Sequence, residues 1–345
     1  MSACINGSQK TECVCFFEGK PCIIEAFFRI FAPMKIAFLI SAFTDAPHLK
    51  LLVEALQDVG EVFIHIDANV SEEPFRSALA TTRARFIEHR VKVMWGSYRQ
   101  VEFQMELIRA ALPCDYLFML SGQDYPVWKS KQIVKYLEEH RGENFLQAMS
   151  LIGRPREDTR EYTRYRFLNN YVWHYGTWKS RMRVALRHVL EPFLKKPLEF
   201  SADGRRWQLY KGSDYFAITG ELAAYVLKTY DECPALRRYF KNSFAPSETF
   251  VHTIAFNTPE FASKCILSNP PLGERIPLEE LTPLTYIVYD RKIHELTLHD
   301  LPAIKASGKM FCRKCVTGVS DELINKLLND GLAGCLSLTN NVHTR

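Results

Sequence analysis

Lys35-Ile-Ala-Phe-Leu-Ile-Ser41, running into Ala42-Phe-Thr-Asp45, is the stretch on which the fold turns. A run of apolar residues this short, closed by a polar turn and followed by Pro47, reads as a buried strand rather than a helix. A helical pattern follows from about Pro47 to Asp58, then the strand Val62-Phe-Ile-His-Ile66, a helix from Tyr98 to Ala111 and the strand Asp115-Tyr-Leu-Phe-Met-Leu120. A helix from Lys129 to Glu139 and a strand at Asn144 to Gln147 complete the run. Strands separated by helices of this length need right-handed crossovers, so the expected fold is α/β, a mainly parallel sheet of strands near 35, 62, 115 and 144 with helices on both faces.

Ligands of such sheets sit beyond the carboxyl ends of the strands. Those ends are polar here: Ser41 to Asp45 after the first, Asp67 after the second, and Ser121-Gly-Gln-Asp-Tyr-Pro126 after the strand at 115. The first strand lacks the GxGxxG fingerprint, which argues against a dinucleotide-dependent dehydrogenase. Past residue 150 the pattern loosens into a basic, aromatic helical stretch. Tyr215 to Ile218 then reads as a strand leading into a helix from Gly220 to Tyr230, and Pro246 opens another helix with Glu248 in its first turn, where a carboxylate is favoured. Leu284 to Tyr289 reads as a strand and Asp321 to Asp330 as a helix.

Hydrophobic residues at 47% and charged residues at 24% fit a folded globular protein with a large core, not a disordered chain. The net charge of +5 is modest. Between Arg154 and Lys196, however, eleven Lys/Arg face four Asp/Glu, a local surplus of seven. Such a surplus suits an anionic partner, whether nucleic acid, a lipid diphosphate or membrane surface, or a nucleotide diphosphate. No RNA- or DNA-binding signature accompanies it, which argues against nucleic acid. Ten cysteines without a signal peptide suggest a reducing compartment, and Cys312-x-x-Cys315 lacks the second pair that a zinc site needs. The apolar patch Cys22 to Phe31 is interrupted by Glu25 and Arg29 and is too short to span a bilayer.

Six stretches, in this order, carry a resemblance: Lys35-Ile-Ala-Phe-Leu-Ile, His65-Ile-Asp67, Leu120-Ser-Gly-Gln-Asp-Tyr-Pro126, Gly212-Ser-Asp-Tyr-Phe216, Pro246-Ser-Glu-Thr-Phe-Val-His-Thr253 and Ser307-Gly-Lys-Met-Phe-Cys-Arg-Lys314. Together they resemble the core-2/I-branching β-1,6-N-acetylglucosaminyltransferases and the peptide O-xylosyltransferases, glycosyltransferase family fourteen. The resemblance implies a GT-A-like, Rossmann-related fold that moves GlcNAc or xylose from a UDP-sugar to an acceptor hydroxyl, inverting and without metal. It divides the chain into an extension at 1–33, one catalytic domain at 34–330 with a nucleotide-sugar half to 150 and an acceptor half from 151, and a tail at 331–345. The chain resembles a bacterial member, cytoplasmic or peripheral to the membrane, acting on a glycan, lipid-linked or peptide acceptor in surface polysaccharide or glycoconjugate synthesis. The opposing reading is a nucleotide- or carbohydrate-binding protein without catalysis.

An inverting transfer needs a base near the acceptor hydroxyl, opposite the departing diphosphate. The branching enzymes place a glutamate at the position of Glu248, and the xylosyltransferases an aspartate at that of Asp214; Glu248 is favoured as base, with Asp214 as positioner or alternative base. Arg313 and Lys314 match the family's cation pair that neutralises the leaving diphosphate. Asp67 and Ser41 are expected at the nucleotide, and Gly122 and Asp124 near the sugar or pyrophosphate, although Gly and Asp also shape turns unaided. Asp67-Ala-Asn69 lacks the second acid of a metal-binding DxD, so no metal and no cofactor is expected. Where relatives carry an arginine in Leu-Arg-Tyr-Ile, this chain has Thr285, leaving Arg291 or Lys292 to compensate. Trp95, Trp173 and Trp178 are candidates for stacking on sugar, and His65 for packing.

Overall fold

The computed structural model describes residues 33–165, 177–190, 193, 195–271 and 277–329. Trp173, the tail and nearly all of the N-terminal extension lie outside them.

Five strands form the central sheet in the order Phe216–Thr219, Tyr116–Ser121, Ile36–Ala42, Glu61–Ile66, Arg85–Phe86. The last four run parallel, and Phe216–Thr219 lies antiparallel along the edge of Tyr116–Ser121. Phe38, Leu39 and Ile40 are fully buried, as a strand covered on both faces requires. The helix Ala46–Leu56 covers one side with Leu49, Leu52, Val53 and Leu56. The helix Arg99–Ala111 turns Val101, Met105 and Ile108 inward at helical spacing. Each such side chain contributes roughly 1.5–3 kcal/mol, so packing outweighs the ~1 kcal/mol of an N-cap. The Asp45 cap has a second use: besides accepting from His48 N–H at 3.2 Å, its carboxylate accepts from Thr317 N–H at 2.9 Å, joining the start of the chain's core to its end.

The strand expected at Asn144 to Gln147 is corrected. It forms at Gln147–Ser150 and belongs to another sheet, between Ile266–Ser268 and Tyr210–Gly212. Phe145 reaches the central sheet only through an isolated antiparallel bridge to Ala217. The edge of Tyr116–Ser121 is already occupied by Phe216–Thr219, so no place remains there for a further parallel strand.

A third sheet, Thr285–Ile287, Phe311–Arg313 and Asp124–Pro126, sets Arg313 directly opposite Asp124. Behind it Cys312, Cys315, Tyr125 and Leu296 pack with Leu323, Ile324 and Leu327 of a helix at 321–329. The two sulfurs are 3.8 Å apart inside this core.

Candidate active site

The carboxyl ends of the parallel strands meet at one mouth. Ser41, the penultimate residue of the first strand, lies in register with His65 and Ser121 on its two neighbours. Asp67 N–H donates to Ala42 O at 2.9 Å and Gly122 N–H to Ser41 O at 2.8 Å, so both turns hang from adjacent carbonyls of one strand. Asp67 Oδ1 accepts from the backbone amides of Asn69 (2.9 Å) and Val93 (3.0 Å) and from Asn69 Nδ2 (2.9 Å). The residue at the second DxD position therefore binds the first acid as a donor. Gly122 is set by packing: a Cβ there would lie 2.6 Å from Ala42 Cβ. His65 is fully buried, accepts from Val91 N–H at Nε2 and stacks on Phe103, and burial lowers its pKa to about 4.

Asp124 is wholly buried, and both its oxygens are engaged. Ser121 N–H donates to Oδ2 at 2.9 Å and Arg313 Nη1 to Oδ1 at 2.9 Å. Burial raises the Asp124 pKa while Arg313 opposes that rise. Asp124 thus aims Arg313, whose guanidinium also lies 4.9 Å over the Tyr215 ring. Arg313 Nε is buried with no acceptor among the described residues. Lys314 pairs with Glu295 at 3.1 Å on the more exposed side. Arg291 and Lys292, by contrast, lie exposed in the small hairpin Tyr289–Asp290 and Lys292–Ile293.

The two carboxylates come together. Burial first, then the charge of Glu248, push Asp214 up to about 7, with the Ser247 hydroxyl, Lys211 and Arg313 pulling the other way. Asp214 Oδ1 is buried and, among the described residues, outside strict hydrogen-bond geometry with any partner. Glu248 Oε2 is held by Lys211 Nζ at 3.1 Å. Burial works against the Lys211 ammonium, but Glu248 and Tyr162 outweigh it and the net shift is upward. Backbone geometry explains the meeting. Ala245 takes a left-handed φ of 42° just before the 3-10 turn Pro246–Glu248. Gly212 lets His252 close in, since a Cβ there would lie 2.2 Å from His252 Nε2 and 2.3 Å from Gln147 O.

Asp214, Glu248 and Arg313 therefore share one electrostatic site, with Asp124 behind it. Lys211, Ser247, Tyr215 and His252 belong to that site and carried no role in the sequence reading. Their only signal was adjacency, since all four lie within or beside the quoted motifs at 212–216 and 246–253. Trp95 is 68% exposed and meets Phe244 edge-on at 5.5 Å; Trp178 is 65% exposed on the helix Trp178–Leu190.

Comparison with known proteins gives the chain its family. The Core-2/I-Branching enzyme family matches residues 36–272, more than half of the chain. The chain belongs to that family of glycosyltransferases. Xylosyltransferase 2 of Mus musculus is 24% identical over 248 residues, covering 67% of this chain and 25% of the mouse protein. Xylosyltransferase 1 of Rattus norvegicus is 25% identical over 239 residues, covering 66% of this chain and 26% of the rat protein. The chain thus matches about a quarter of the length of these relatives. A solved structure of glucosyl-3-phosphoglycerate synthase from Mycobacterium tuberculosis, in complex with Mn2+, UDP-glucose and glycerol 3-phosphate, aligns with a TM-score of 0.34 at 12% identity, over 77% of this chain and 81% of that one.

Proposed function

We propose that this chain is an inverting, metal-independent glycosyltransferase that moves GlcNAc or xylose from a UDP-sugar to the hydroxyl of a glycan, lipid-linked or peptide acceptor, in surface polysaccharide or glycoconjugate synthesis. The observation that carries the reading is the shared site itself, in which a carboxylate whose pKa is pushed up to about 7 sits in the field of a largely buried arginine whose Nε has no acceptor among the described residues. An acceptor proton needs a base whose pKa lies near the working pH. A departing diphosphate needs preplaced positive charge. The family resemblance on its own favours Glu248 as base, but Lys211 binds Glu248 Oε2, whereas Asp214 Oδ1 has no partner within strict hydrogen-bond geometry among the described residues.

In this reading Asp214 takes the acceptor proton as the hydroxyl oxygen attacks the anomeric carbon from the face opposite UDP. The C–O bond to the diphosphate breaks in the same step, and its electron pair leaves with UDP. Arg313 Nε and Lys314 Nζ receive the developing charge. Glu248 and Lys211 orient the acceptor. Asp67 and Ser41 border the nucleoside, and Gly122 and Asp124 form the floor beneath the pyrophosphate. The Asp67–Asn69 turn, closed on itself by hydrogen bonds, supports a donor site without metal.

A thermal-shift panel of UDP-sugars tests the donor assignment. The matching donor at a hundredfold its Kd stabilises by about 2.7 kcal/mol. Release of UDP with a suitable acceptor then separates transfer from binding alone. No stabilisation by any UDP-sugar would sink the proposal.

A further inference from the structure

Among the described residues, the basic stretch at 154–196 holds the largest run of exposed apolar side chains. On the helix Trp178–Leu190, Trp178 is 65% exposed, Met182 61%, Leu186 53% and Val189 65%, and Phe193 just beyond is 82% exposed. Steps of four, four and three residues set the first four on successive turns of one helix face. Single exposed apolar residues are ordinary, but a contiguous stripe marks a surface that something covers. The same helix carries Lys179, Arg181, Arg183 and Arg187 and no Asp or Glu.

We propose that this helix docks in the headgroup layer of an anionic lipid bilayer. That layer answers both features at once, because the boundary between acyl chains and headgroups takes the apolar stripe while the lipid phosphates attract the cations. A second copy of the chain is disfavoured as the occupant, because the helix sequence offers no acid to answer its own basic residues. Among the described residues no helix is long and apolar enough to cross a membrane, so the contact lies in the plane of the surface. The segment that follows the helix is fastened to the protein. Lys195 bridges to Arg164, Lys196 N–H donates to Thr163 O at 2.8 Å, and Lys196 Nζ donates to Tyr239 O and Ser243 Oγ. Ser243 lies in the segment leading to Glu248, so docking presents the acceptor half of the protein to the lipid surface. This deepens the sugar-transfer reading by naming the surface at which it operates, but does not depend on it.

The test is co-sedimentation of the full chain with vesicles of phosphatidylcholine alone or mixed with phosphatidylglycerol. Binding is expected to the mixed vesicles only and to weaken as salt is raised. The triple variant Met182→Ser, Leu186→Ser, Val189→Ser should lose at least about tenfold in affinity, because three side chains no longer enter the interface. Its stabilisation by UDP should be unchanged, which shows that it is folded. Equal binding to both vesicle types, or a variant that binds like the parent, overturns the proposal. So does a dimer in sedimentation velocity that the variant abolishes without vesicle binding. If UDP stabilises neither protein while vesicle binding behaves as expected, the sugar-transfer reading fails and docking stands.

Discussion

If Asp214 takes the acceptor proton, Asp214→Asn keeps the shape and removes the proton's destination. General-base assistance is worth roughly a hundred- to ten-thousand-fold, so kcat is expected to fall by that range with UDP affinity intact. Glu248→Gln should cost only about tenfold and appear mainly in the acceptor KM, as a positioning loss does. The opposite ranking in steady-state kinetics would return the role of base to Glu248. The pH dependence follows from the same group, which acts as a base only when deprotonated, so kcat/KM should rise with pH through about 7 in the parent. That limb belongs to the coupled pair and should vanish in Asp214→Asn. Stability runs the other way. The folded value of Asp214 lies above its usual 3.8, so the folded state holds a proton that the unfolded chain releases. The burden of the charged form is absent below 3.8, grows as pH rises towards 7 and is complete above it. Relative to the parent, Asp214→Asn should therefore gain on the order of 1–2 kcal/mol between acid and mildly alkaline pH, read by denaturant unfolding at each pH. Lys314→Ala removes one partner of the leaving diphosphate and should raise the barrier by about 2–4 kcal/mol, seen in kcat.

At the scale of elements, Tyr210–Gly212 and the helix Phe250–Phe256 are joined where Gly212 meets His252. His252 is fully packed, and burial followed by the charge of Lys211 lowers its pKa to about 3, so it stays neutral there. Gly212→Ala would push a methyl into that ring and into the Gln147 carbonyl, backbone that has little room to yield. A loss of about 1–3 kcal/mol is expected in chemical unfolding, with turnover falling further because Asp214 lies two residues on. Turnover falling no more than stability would mean that the strand does not position the carboxylate. Elements with long local patterns were legible in the sequence: the helix expected from Tyr98 to Ala111 forms at Arg99–Ala111, and that from Gly220 to Tyr230 at Gly220–Glu232. The strand expected at Asn144 to Gln147 was misplaced by three residues and assigned to the wrong sheet. Four or so residues state a preference for extended backbone and say nothing about which edge is vacant.

For the whole molecule, two positive groups replace the metal in the proposed chemistry, and that account exposes itself to a simple check. Transfer should persist undiminished in EDTA. Loss of activity on chelation with recovery on manganese would show that Arg313 and Lys314 do not carry the diphosphate charge. The sequence by itself determined the parallel α/β core and the polar mouth at Ser41, Asp67 and Ser121, and the resemblance it carries named the two carboxylates and two cations of the proposed chemistry. These follow from patterns with periods of two or 3.6 residues and from motifs read within a few residues of each other. Only the tertiary structure decided which of those residues meet. Asp124 is 189 residues from the arginine it aims, and Lys211 is 37 from the glutamate it binds. The proton affinity of Asp214 is set by burial and by charges that include two brought from distant segments, Glu248 and Arg313, beside the local Lys211. Burial and Coulomb interaction depend on distance in space, and distance in space between segments so far apart in the chain is fixed only when the whole chain has folded.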